Sequence, residues 1–150
     1  MRSELYNCNL MVTYHFEDTD FQFKNRKFNN MWLKMVVESE IKKLGQVAIV
    51  FCSDNYILDI NQRYLQHDYF TDIITFDYCD NNLISGDLFI SVDSVKENSL
   101  FYGVDFETEL NRVMVHGILH LIGYDDHTEE DIKVMREKEN YYLEMRSKLI

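Results

Sequence analysis

The residues most able to do chemistry together lie in one stretch, HGILHLIGYDDH, from His116 to His127. His116 and His120 stand four apart, so on a helix both rings leave one face about one turn apart. Neutral imidazole is the commonest metal ligand in proteins. Gly123 follows where a helix would end and the chain turn back, and Asp126 or His127 just beyond it could swing towards the pair. Two helix histidines and one residue from the turn make three protein ligands. A tetrahedral Zn²⁺ then keeps one open position, which is the catalytic arrangement and not the structural one. The negative end of the helix dipole also favours a cation there. Five histidines in 150 residues place some pair four apart by chance in roughly one chain in six, so two solvated helix histidines are the plain alternative. The zinc-peptidase motif HExxH puts a glutamate base directly after the first histidine, and here that position is Gly117. This counts against proteolysis and for a chemistry in which metal and substrate relay the proton.

These side chains need a helix and a sheet to hold them. Phe106 to Ile122 reads as a strongly apolar helix ended by Gly123. At about 100° per residue, Leu110, Met114, Gly117, Ile118 and Leu121 form its core face, and the histidines flank that stripe. Before it, the pattern predicts a strand over Asn9 to Phe16 and a helix over Asn25 to Leu44. That helix would bury Phe28, Met31, Trp32, Met35 and Val36, with Gly45 as its terminating glycine. A buried strand follows over Gln46 to Cys52. Then Ser53 or Asp54 caps a helix to about Gln66, with Ile57, Ile60 and Tyr64 inward. Thr71 to Tyr78 and Gly86 to Val92 read as strands paired through an Asn81-Asn82 turn. Asp93 to Phe101 forms a short helix, and Thr128 caps the last one, with Glu129, Glu130 and Asp131 in its first turn. The order β-α-β-α-β-β-α-α-α points to an α+β domain with helices packed on the sheet.

Composition bounds the rest. Lys and Arg number 15 and Asp and Glu 26, a formal charge of −11, while hydrophobic residues make up 46%. Such a chain buries a single core, and residues 1–150 read as one domain. The acidity argues against a protein that coats nucleic acid, because neutralising phosphate needs exposed Lys and Arg. Cys8, Cys52 and Cys79 are odd in number and widely spaced, so they form no disulfide framework, and Cys52 reads as a buried thiol. Free thiols suit a reducing compartment. The segment MRSELYNCNL lacks the apolar stretch of a signal peptide, and no apolar run approaches the ~18 residues of a membrane span. The cytoplasm is the expected location.

The stretch HGILHLIGYDDH resembles the signature of the YbeY family of bacterial rRNA maturation factors, metal-dependent endoribonucleases. Two further segments match in order. Ile60-Asn61, followed by TDIITF from Thr71 to Phe76, is similar to the family's LN…TDVLSF stretch. GDLFIS from Gly86 to Ser91 is similar to its GDI-type strand. The resemblance implies an α+β fold related to metalloproteases, with a mixed sheet of about four strands, the histidine pair on a central helix and one Zn²⁺ in a groove beside the sheet. It implies cleavage of single-stranded RNA, in maturing the 3′ end of small-subunit rRNA and in ribosome quality control. Partners would be rRNA and the small ribosomal subunit or its factors, with no membrane and no nucleotide cofactor.

Two positions depart from the family. Its usual third ligand is a histidine ten residues after the first, and here position 126 is Asp. Asp126 is favoured, because a carboxylate is an ordinary zinc ligand, with His127 as runner-up. Many members carry an arginine four residues after the Asn of LN, and here that position is Leu65. Arg63, His67 and Arg112 are the candidates to supply positive charge beside a metal-activated water. The competing functions are a zinc hydrolase of peptides or small molecules on the same scaffold, and a non-catalytic ribosome-associated protein with a structural metal. The charge of −11 leaves two routes to RNA: local basic clusters such as Lys24, Arg26 and Lys27, with Lys34, Lys42 and Lys43 farther along, or delivery by a ribosomal partner.

Overall fold

The computed structural model describes residues 11–66 and 71–150. Cys8, His67 and the first two residues of the strand expected from Asn9 lie outside the described residues. Four strands form one sheet: β1 (Val12–Glu17), β2 (Lys43–Cys52), β3 (Ile73–Asp77) and β4 (Leu83–Ser91). Five helices accompany them: α1 (Arg26–Ser39), α2 (Asp54–Leu65), α3 (Val92–Tyr102), α4 (Phe106–Ile122) and α5 (Glu129–Lys148). The sheet order is β1-β2-β4-β3. The first two pairings are parallel and β3 joins β4 antiparallel, through the turn at Asn81 that the asparagine pair announced.

Period-two alternation sends Val47, Ile49 and Phe51 of β2 and Ile84, Leu88 and Ile90 of β4 into the main core. There they meet Trp32, Leu33, Val36 and Val37 of α1 and the Leu110, Met114, Ile118 and Leu121 face of α4. The opposite face carries a smaller cluster, where Ile57 and Ile60 of α2 pack on Cys52 and Ile74. Cys52 is fully buried. Burial pushes its thiol up to about 12, aided by Asp54 and Asp93 nearby. The caps follow the sequence signals. Ser53 accepts from the Tyr56 N–H, Asp105 from Thr108, and Thr128 and Asp131 form a reciprocal capping box. No helix among the described residues is long and apolar enough to cross a membrane.

Five expectations are corrected. Helix α1 ends at Ser39, not Leu44, and Gly45 does not terminate it. Ile41 takes the left-handed position instead, at φ 60°. Its N–H donates to Glu38 O and that of Lys42 to Val37 O, the paired bonds of a Schellman ending. Leu44 is buried as a strand residue, and β2 starts three residues earlier than expected because Lys43 and Leu44 already pair with Leu83 and Ile84. A register shift between Leu44 and Val47 keeps both side chains inward, and Gly45 sits inside that irregularity. The inward stripe of α1 is also rotated: Asn29, Trp32, Leu33, Val36 and Val37 are buried, while Met31 is exposed. Tyr64 faces solvent, where it meets Phe76 edge-on. Val92 opens α3 rather than closing β4, because Ser91 leaves the strand as the helix cap.

Candidate metal centre

Helix α4 lies against β3 and β4, and Gly117 sets how close it comes. A Cβ at 117 would lie 2.7 Å from Ile73 Cδ1 and 2.9 Å from Leu88 Cδ1. With residue 117 against the sheet, the neighbouring positions 116 and 120 flank the contact and face a groove. At the helix end Gly123 adopts φ 124°, a conformation that other residues rarely adopt. The N–H groups of Gly123 and Tyr124 close on Leu119 O. The Tyr124 hydroxyl donates to Glu40, which ties this loop to the end of α1. The turn returns Asp126 to the histidines.

Three ligand atoms converge. His120 Nε2 lies 3.0 Å from His116 Nε2 and 3.3 Å from Asp126 Oδ2, and His116 Nε2 lies 3.4 Å from the same oxygen. Ligands about 2.0–2.1 Å from a tetrahedral ion stand roughly 3.3–3.4 Å apart, so the triangle is close to what Zn²⁺ requires. The cluster of possible ligands among the described residues is His116, His120 and Asp126, and His127 is not in it. The rings stand edge to face, 4.5 Å between centroids.

One ring is oriented from behind. His116 Nδ1 lies 2.7 Å from Glu139 Oε2 on α5. With Nδ1 donating its proton, the Nε2 lone pair faces Asp126 and His120, the carboxylate–histidine–metal pattern. Glu139 is itself buried and accepts from Arg112 Nη1 at 2.9 Å. Burial works against both charges. The contacts outweigh it: Glu139 with Asp126 and Asp72 raises the His116 pKa, while His116 and Arg112 hold the Glu139 carboxyl low. Neither group is ionised independently of the other.

Two clefts meet at Asp126. The first, of about 330 Å³, is bordered by His116, Asp72, Arg112, Glu109 and Glu139. The second, of about 450 Å³, runs along the edge strand β3 and takes in His120, His127, Thr71, Asn61 and Leu65. Leu65 therefore does border the groove. Arg63 borders neither cleft and pairs with Asp59 at 3.0 Å on the exposed side of α2. Arg112 is at the site, with one arm on Glu139 and the other on Asn140. His67 lies outside the described residues. The basic run at the start of α1 stands elsewhere: Arg26 covers the Tyr14 and Phe16 rings, and Lys24 shares a pocket with Phe106 at the first residue of α4. Asp72, part of the TDIITF segment, borders the first cleft and accepts from the Asn98 amide at 3.3 Å.

Glu139 and Glu109 escaped the sequence reading. For Glu139 a signal existed. Met135, Glu139, Tyr142 and Arg146 are the buried residues of α5, at helical spacing, so two charged residues sit on its inward stripe. Charges on such a stripe need partners, and Glu139 finds them in His116 and Arg112.

Comparison with known proteins agrees with this architecture. The family described as Endoribonuclease YbeY matches residues 13–147. The chain is 46% identical over 137 residues to the endoribonuclease YbeY of Bacteroides thetaiotaomicron, covering 91% of this chain and 100% of that protein. It is 49% identical over 135 residues to that of Azobacteroides pseudotrichonymphae, covering 90% and 97%. The solution structure of TM1509 from Thermotoga maritima superposes with a TM-score of 0.63 at 29% identity, over 89% of this chain and 88% of that one. With the match spanning nearly the whole chain and relatives at this identity, the chain belongs to the YbeY endoribonuclease family.

Proposed function

We propose that this chain is a zinc-dependent endoribonuclease that cuts single-stranded RNA, working in the cytoplasm on the 3′ end of small-subunit rRNA and in ribosome quality control. The observation that carries the reading is the convergence of His116 Nε2, His120 Nε2 and Asp126 Oδ2 at the meeting point of two open clefts. Zn²⁺ bound by those three atoms supplies a Lewis acid for a phosphate oxygen and a water of lowered pKa.

The protein groups do the rest. Glu139 fixes the tautomer and angle of His116, and Arg112 fixes Glu139. Arg112 and Arg136 place positive charge on the first cleft, where a scissile phosphate needs it. Leu65 offers none to the second, so that groove holds a strand by shape and by polar groups such as Thr71 and Asn61. Few basic side chains at the site, in a chain of charge −11, favour delivery by the small subunit or its factors over free affinity for RNA. A peptidase reading is disfavoured by Gly117, because a glutamate there would point into Ile73 and Leu88 and not into the groove.

The test is cleavage of a single-stranded RNA by protein loaded with zinc. Cleavage should stop on chelation, return with zinc, and be absent in His120→Ala, whose far-UV dichroism should remain that of the parent. RNA cleavage that survives both chelation and His120→Ala would overturn the proposal.

A further inference from the structure

The first cleft contains a buried carboxyl that the metal centre does not use. Glu109 sits in the first turn of α4, seven residues before His116, and is 6% exposed. It borders the cleft, and while its N–H donates to Asp105 O, its side chain has no hydrogen-bond or ion-pair partner among the described residues. Its neighbours are engaged. Glu139 holds His116 and Arg112, Asp72 holds Asn98, and Arg112 also holds Asn140. Burial raises the Glu109 pKa, with Arg112 and Arg136 opposing and Asp72 and Glu139 reinforcing. The Glu109 carboxylate oxygens are not sealed in protein but open to the cleft, where a ligand that brings donors can replace water.

We infer that the cleft is a subsite for an unpaired guanine base beside the phosphate to be cut, with Glu109 as its specificity-determining residue. The inference rests on the endoribonuclease reading above. Acidic Glu109 and Asp72 and basic Arg112 and Arg136 border the same cleft, so beside the phosphate it suits a neutral planar group with donors on one edge and acceptors on another. Val113, Ile132 and Met135 supply apolar wall for its faces, and a cleft of about 330 Å³ lies within the range of small-ligand sites. Guanine alone among the four bases presents two adjacent donors, N1–H and the N2 amino group, which match the two oxygens of one carboxylate. Its O6 and N7 acceptors suit an arginine. Arg136, exposed and only 3.7 Å from Glu139, retains donors for them. Adenine, cytosine and uracil each place an acceptor beside their donor, against a carboxylate oxygen.

Two measurements separate this from the endoribonuclease reading itself. In the first, four single-stranded oligouridines carrying one variable base are cleaved by the zinc-loaded protein. The substrate with guanine should have a kcat/KM about tenfold above the others. Glu109→Gln, which replaces one acceptor by a donor, should bring the ratio near one. Equal rates on all four, or a guanine preference that survives Glu109→Gln, overturn the subsite and leave the nuclease standing. In the second, 5′-GMP, 5′-AMP, 5′-CMP and 5′-UMP are titrated into the same protein by NMR. 5′-GMP should bind tightest and lose its advantage in Glu109→Gln. Equal affinities overturn the subsite even if no RNA is cut. Should Glu109→Gln fail to fold, Arg136→Met on the exposed rim must weaken 5′-GMP more than 5′-AMP, and an equal effect on both overturns the inference.

Discussion

His116 and Glu139 are 23 residues apart in sequence and 2.7 Å apart through Nδ1 and Oε2. The bond joins the helix that carries the histidine pair to the last helix of the chain. A metal held by His116 would therefore depend on α5, which contributes no residue to the ligand cluster. Glu139→Gln keeps the volume and an acceptor for Nδ1–H but removes the charge. It should weaken zinc affinity by about 10–100-fold while the helical dichroism is retained. Competition with a chromophoric chelator measures this directly. An unchanged affinity in a folded variant would mean that Glu139 only fills space.

Glu40 makes a second long-range tie, and its protonation can be followed by pH. Its carboxylate accepts from the Tyr124 and Tyr142 hydroxyls and from Lys138 Nζ at 3.0 Å. Burial alone would raise its pKa, but these donors outweigh burial and hold it below 4.5. A carboxylate whose folded pKa is depressed stabilises the fold above its unfolded value, and that contribution is lost as pH falls through the folded value. Glu40→Gln should therefore lower the urea midpoint at pH 7, and the gap from the parent should narrow on acidification below about 4.5. A gap that stays constant from pH 7 to pH 3.5 contradicts the linkage.

The ending of α1 offers a stabilising change. Ile41 is β-branched, 87% exposed and held at φ 60°. An L-residue in that region costs about 1–2 kcal/mol, of which glycine gives back part as unfolded-chain entropy. Ile41→Gly should raise stability by roughly 0.5–1 kcal/mol, read as a higher urea midpoint with unchanged slope. A lower midpoint would mean that the exposed side chain contributes a contact outweighing the strain.

Ile41 also shows why one boundary was illegible. A glycine after an apolar helical stripe ordinarily terminates the helix, so Gly45 drew the end five residues too far. Leu44, apolar and in phase with the helix, belonged to a strand whose partner, Leu83–Ser91, is remote in sequence. What could be read was local. The i,i+4 histidines, the glycine after them, the Ser53 and Thr128 caps and the Asn81 turn each act within a few residues. The face of α4 was legible for the same reason, since ten of its residues are buried and follow one period. The partners of the site were not. Helical spacing turns Glu139 inward, but its meeting with His116, like that of Asp72 with the cleft, is set only once the helices have packed on the sheet.

Gly117 yields the sharpest test of which chemistry the scaffold supports. It occupies the position of the peptidase base, directly after His116, yet it faces the sheet. Gly117→Ala puts a methyl 2.7 Å from Ile73 Cδ1 and 2.9 Å from Leu88 Cδ1, both flexible side-chain ends. Small rotations relieve that contact, and alanine gains about 1 kcal/mol of helix propensity, so the variant should fold, bind zinc and cost no more than about 2 kcal/mol. Gly117→Glu has no such escape. It overpacks the α4–sheet contact and buries a carboxylate without donors, at a combined cost of at least about 3 kcal/mol. Its urea midpoint should collapse relative to Gly117→Ala, and it should show no peptidase activity. If Gly117→Glu instead folds as well as the parent and hydrolyses peptides, position 117 must look into the groove, and the packing of α4 described above is wrong.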